Sequence, residues 1–91
     1  MGNYRLEINE TARLHLRKIK KSGDSASLKK ITKLFEELEN HPTTGSGNPE
    51  QLKHELSGYW SRRINKKDRL IYQIIETEVL VVVVSALGHY D

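Results

Sequence analysis

From Asn3 to Asn9 the apolar side chains Tyr4, Leu6 and Ile8 alternate with polar ones, a period of two that predicts a short strand with one buried face. The period then lengthens. Ala12, Leu16 and Ile19 recur at four and three residues, so a helix follows. Asn9 is placed to cap its free amides, Glu10 sits in the first turn against the positive end of the dipole, and Gly23 offers the stop. A second stripe runs through Leu28, Ile31, Leu34 or Phe35, and Leu38, with Asp24 or Ser25 as its cap and His41-Pro42 as its end.

Residues 43–49 lack apolar side chains and concentrate turn formers, which makes them a loop. Beyond them the pattern predicts strands at Gln51 to Leu56, Tyr59 to Ile64, Arg69 to Ile75 and Val79 to Leu87, joined by connections short enough for antiparallel hairpins. The unbroken valines predict a central strand covered on both faces, with the two helices on one side. The class is therefore α+β, with two N-terminal helices packed on a four- to five-stranded, mainly antiparallel sheet. At 91 residues the chain is read as one domain, 1–91, because so short a chain buries only about two thirds of its unfolded surface and cannot fill two cores.

Several function classes drop out at this point. No cysteine is present, which fits a reducing compartment and leaves apolar burial as the main source of stability. The run from Val79 to Val84 is far short of the roughly 20 residues that span a bilayer, so a soluble, unexported, cytoplasmic protein without a membrane partner is expected. The four histidines lack metal-site spacing, and His15, His41 and His54 read as surface or packing residues. No phosphate-binding loop, dinucleotide fingerprint or serine nucleophile elbow occurs. A net charge of +3 permits a polyanionic partner without requiring one.

Between Glu50 and Tyr72, the cations Lys53, Arg62, Arg63, Lys66, Lys67 and Arg69 are interleaved with His54, Tyr59, Trp60 and Tyr72. Guanidinium forks bind phosphate oxygens and flat rings stack on splayed bases, so the mixture suits single-stranded RNA. The plainer alternative is a solvated sheet face. Strand alternation puts Arg63 with Tyr59 and Ser61, and Arg62 with Trp60 and Ile64, so the two arginines cannot serve one site equally. Glu50 follows Pro49 where loop meets strand, and His89 lies just beyond the last strand. Such a pair can act as base and acid in cleavage of RNA by its own 2′-hydroxyl, with arginines neutralising the transition state. Taken singly, Glu50 also reads as a surface carboxylate and His89 as a tail residue. Arg13, Arg17, Lys18, Lys20 and Lys21 of the first helix are either a docking surface for a phosphate backbone or a solvated face.

The stretch Gly45-Ser-Gly-Asn-Pro-Glu-Gln-Leu-Lys-His-Glu-Leu-Ser-Gly-Tyr-Trp-Ser-Arg-Arg-Ile64, then Asp68-Arg-Leu-Ile-Tyr72 and the final His89-Tyr90, resembles the Txe/YoeB family of RelE-like toxins over roughly residues 41–91. The resemblance implies a microbial-ribonuclease-like fold and a ribosome-dependent endoribonuclease that cuts mRNA in the decoding site. It also implies inhibition by a cognate antitoxin, allows a homodimer, and calls for neither metal nor other cofactor. Carried over by position, Glu50 is the general base, His89 the general acid, Arg69 the transition-state cation, and Tyr90 the ring that orients the scissile nucleotide or supports His89. Lys53 and Arg63 are phosphate contacts. The chain departs from the family pattern where Ser46 and Asn48 replace common lysines, where Gln51 replaces a frequent proline, and in the first helix, where tryptophans are frequent. Asp91 adds a carboxylate beside His89 that favours the imidazolium. Two other functions fit the residues alone: a non-catalytic RNA- or ribosome-binding translation blocker, and an antitoxin-binding interaction domain without nuclease activity.

Overall fold

The computed structural model describes residues 3–53 and 58–88. Its elements are β1 (Arg5–Ile8), α1 (Glu10–Lys21), α2 (Ser25–Asn40), β2 (Glu50–Gln51), β3 (Tyr59–Arg63), β4 (Arg69–Ile75) and β5 (Leu80–Ser85). The strands form one five-stranded sheet in the order β1-β5-β4-β3-β2. β1 runs parallel to β5, and every other pair is antiparallel. The expected α+β class and mainly antiparallel sheet are what the chain adopts.

Local chemistry sets the helix ends. The Asn9 side chain accepts from the Ala12 amide at 2.9 Å, and Arg13 Nε donates to the Ile8 carbonyl at 3.0 Å, fixing the entry to α1. Asp24, rather than Ser25, caps α2: one carboxylate oxygen accepts from the Ser27 amide at 3.0 Å and the other from the Ser27 hydroxyl at 2.7 Å. Both helices lie on one face of the sheet. Ala12, Ile19, Ile31, Leu34 and Leu38 pack there on Leu70, Tyr72, Val81 and Val83, all buried. Leu34 takes the fully buried place in the α2 stripe and Phe35 packs at the margin.

Two strand expectations are corrected. The valine run is not covered on both faces: Val81 and Val83 lie under the helices while Val82 and Val84 stay half-buried, and β4, not β5, is the middle strand. β1 adds beside β5 only as an edge strand, so the apolar run reflects an interior position in the sheet and one helix-covered face. The strand expected from Gln51 to Leu56 is the two-residue β2, Glu50–Gln51, continued by a hydrogen bond from the Leu52 amide to the Tyr59 carbonyl at 2.8 Å; residues 54–56 of that expectation lie outside those described.

A bulge interrupts the β4–β5 ladder. Tyr72 pairs with Val83 but Ile71 with Ser85, so Val84 is an extra residue and Ser85 joins the face of Ile71, away from the helices. The β4–β5 connection is a single 3-10 turn, Glu76–Glu78, closed by Val79 in the left-handed region at φ 50°.

Candidate active site

Register assigns the uncovered face of the sheet. Directly opposed residues of antiparallel strands share a face, and the pairs Glu50–Ser61, Ser61–Ile71 and Ile71–Ser85 form one row across four strands. Arg63 pairs with Arg69 in the adjacent row. Glu50, Arg63 and Arg69 therefore stand on one face, the one opposite the helices. Two strand spacings and one two-residue step separate the Cα atoms of Glu50 and Arg69, on the order of 12 Å. Glu50, Lys53 and Arg63 are exposed and Arg69 is half-buried. Among the described residues none of these four side chains is engaged in a hydrogen bond or ion pair. Their charged heads are thus available to a ligand. Ser61, within this row, has a buried hydroxyl that finds no hydrogen-bond partner among the described residues.

The loop that delivers Glu50 is held from beneath. Arg62 faces the helices, has 0 % exposure, and meets five acceptors with its five N–H donors. Nη1 donates to Glu37 Oε1 at 2.7 Å and to the Ser46 carbonyl at 3.3 Å; Nη2 donates to the carbonyls of His41 at 2.6 Å and Thr44 at 2.8 Å; Nε donates to the Tyr72 hydroxyl at 3.1 Å. The Tyr72 hydroxyl in turn donates to the Pro42 carbonyl at 2.7 Å, and Glu37 accepts from the Ser46 amide at 2.6 Å. Burial alone would raise the Glu37 pKa, but the bonds from Ser46 and Arg62 outweigh it and hold the carboxyl below its usual value. Burial pushes the Tyr72 phenol up, with Arg62 opposing. Gly47 then passes against β3, accepting from the Arg63 amide at 2.6 Å. At its φ of +79° a Cβ would stand 2.9 Å from the Arg63 carbonyl oxygen, so only glycine fits this approach.

The end of the described chain is tied to the same region. Ala86 donates its amide to His15 Nδ1 at 3.0 Å, Gly88 donates to Asp68 Oδ1 at 3.0 Å, and the Gly88 carbonyl accepts from the Arg69 amide at 2.8 Å. The proposed catalytic residues His89 and Tyr90 follow next in sequence and lie outside the described residues, as does His54.

The structure thus brings Glu50, Arg63 and Arg69 to one face. Tyr72, grouped at first with the base-stacking rings, is instead buried and structural, because its strand position faces the helices. Trp60 packs at the core margin for the same reason. Alternation separated Arg62 from Arg63 correctly but did not reveal that Arg62 organises the loop; the available signal was a charged residue on a face shared with Trp60 and Ile64, which demands acceptors for its donors. His15 and Asp68 were missed as anchors, because backbone amides at position 86 and beyond leave no sequence trace.

The fold is shared at TM-score 0.87 with a YoeB/ParE toxin from Agrobacterium tumefaciens, 28% identical, covering 94% of this chain and 99% of that one. It is also shared at TM-score 0.79 with the toxin structure seen in a heterotetrameric YoeB-YefM toxin-antitoxin complex from Staphylococcus aureus, 30% identical, covering 96% and 98%. Two helices on a mixed five-stranded sheet are the fold of the RelE/YoeB-like toxins. In sequence, the chain is 44% identical over 69 residues to Toxin YoeB of Synechocystis sp., 76% of this chain and 78% of that protein. A family model described as YoeB-like toxin of bacterial type II toxin-antitoxin system matches residues 8–90. The chain belongs to this YoeB-like family and is the toxin of a type II toxin-antitoxin module.

Proposed function

We propose that the chain, acting as one domain over residues 1–91, is a ribosome-dependent endoribonuclease that cuts mRNA by 2′-hydroxyl attack and is neutralised by a cognate antitoxin. The observation that carries this reading is the placement of Glu50, Arg63 and Arg69 on one uncovered sheet face, with Gly88, the residue before His89, bonded to the Arg69 backbone. In the proposed step Glu50 takes the proton from the 2′-hydroxyl. The resulting oxygen attacks phosphorus, the bond to the 5′-oxygen breaks, and His89 protonates that leaving oxygen, leaving a cyclic phosphate. Arg69 offsets charge on the phosphorane-like transition state. Lys53 and Arg63 hold neighbouring phosphates, and Tyr90 orients the scissile nucleotide or supports His89. The antitoxin follows from the likeness to the toxin of the Staphylococcus aureus complex.

Primer extension on a message translated in a purified system tests the assignment. Wild-type protein should produce discrete cuts, and Glu50→Ala and His89→Ala should each reduce them by about a hundredfold or more, with circular dichroism spectra unchanged. Equal cutting by the variants would refute the roles; translation arrest without cuts by the wild type would replace the nuclease with an occupancy block.

A further inference from the structure

The ladder of β5 ends at Ser85, yet the three residues beyond it are fixed by contacts with two other parts of the fold. Ala86 is completely buried, and its amide would be an orphan donor there without a partner. His15, reaching from α1 across 71 positions of sequence, accepts that amide through Nδ1. An imidazole that accepts at Nδ1 carries its proton on Nε2. At Gly88 both backbone groups are held, the amide by the Asp68 carboxylate and the carbonyl by the Arg69 amide. Asp68 is itself 6% exposed, and its second oxygen accepts from Asn65 Nδ2 at 3.1 Å. Asn65 Nδ2 also donates to the Ser27 hydroxyl at 2.9 Å, which is bonded to the α2 cap Asp24. Segments beyond the last strand ordinarily fray; Ala86 and Gly88 are instead held by side chains from α1 and from the turn that opens β4.

We propose that His15 and Asp68 are positioning residues for the cleavage reaction, holding residues 86–88 as a fixed arm and so setting where the proton donor at position 89 meets the leaving oxygen. The inference rests on the role given to His89 above. Neither residue touches the reacting atoms. Asp68 acts through Gly88 and, being adjacent to Arg69, ties the arm to the strand that carries the transition-state cation. His15 sets the point at which the arm leaves the sheet. A shift of about 1 Å at a reacting group can cost on the order of a hundredfold in rate, so loss of either anchor is felt in the chemical step rather than in ribosome binding.

The test compares Asp68→Ala, Asp68→Asn, His15→Ala and His15→Asn with wild type and His89→Ala. Single-turnover cleavage of a message on programmed ribosomes is measured alongside hydrogen exchange of the Ala86 and Gly88 amides in the free protein. Asp68→Ala should speed exchange at Gly88, and His15→Ala at Ala86. Each should slow cleavage at saturating ribosomes by about tenfold or more while leaving half-saturation unchanged. His15→Asn, which restores an acceptor oxygen, should recover both properties, and Asp68→Asn, which restores the acceptor for Gly88 but sets its own amide N–H against Asn65 Nδ2, should recover them in part. Should Asp68→Ala fail to fold, His15→Ala carries the test alone, since it lies outside the β4 turn. Faster exchange with wild-type cleavage overturns the positioning role, and unchanged exchange overturns the anchoring. Full cleavage by His89→Ala removes the reading of His89 and the inference with it, an outcome separate from both of these.

Discussion

Arg62 holds the loop that leads to Glu50, although its guanidinium bonds to nothing on the uncovered face of the sheet. A fully buried guanidinium is tolerable only because every donor is met, and removing it strands several acceptors at once: the Glu37 carboxylate and the carbonyls of His41, Thr44 and Ser46. Arg62→Ala should destabilise the protein by about 3–5 kcal/mol, read as a lower urea midpoint. Arg62→Lys should recover little of that, because one ammonium cannot reproduce a planar fork. At this scale the sequence was partly legible. Alternation separated Arg62 from Arg63 and grouped Arg63 with Ser61, because parity is a local property of one strand. It could not name Glu37, 25 positions away, or the loop carbonyls that complete the set, since their meeting depends on how α2 lies on the sheet. Tyr72 was misjudged for the same reason: a tyrosine among cations resembles a stacking platform until its strand position is known.

Elements with local causes were the most legible. Both helices begin at the residues whose side chains can cap them, and the 43–49 loop lies where apolar residues stop. Strand partners were harder, because the valine run is apolar whichever neighbours it has, and its position beside β1 and β4 comes from long-range topology. The connection between β4 and β5 shows a local rule broken. Val79, β-branched and 45% exposed, occupies the left-handed region at φ 50°, a conformation that costs a branched residue about 1–2 kcal/mol. Asparagine tolerates that conformation, and little burial is lost by the exchange. Val79→Asn should therefore raise stability by about 1 kcal/mol, seen as a higher urea midpoint with an unchanged slope.

For the molecule as a whole, acid should act through carboxylates held in their ionised form. Glu37 titrates below its ordinary value of 4.5, and Asp24, bonded to the Ser27 hydroxyl and amide, below its ordinary 3.8. A group whose pKa is lower folded than unfolded contributes stability above the unfolded value and loses it as pH falls through the folded one. Urea midpoints should thus be steady down to about pH 4.5 and fall below it. In Glu37→Gln, which starts lower, that fall should be shallower; an equally steep decline would place the sensitivity elsewhere. The bulge at Val84 acts on the same global scale. The side of the sheet a residue occupies depends on whether its count along the strand is odd or even, so one extra residue reverses the phase of all that follows. Removing Val84 would leave Ser85 opposite Ile71 on the face away from the helices, since it would then follow Val83 in regular alternation, but the local kink and added twist with which β5 leads into the arm ending at Gly88 would be lost. Between Val83 and Gly88, the course of the backbone is consequently set by a residue that pairs with nothing.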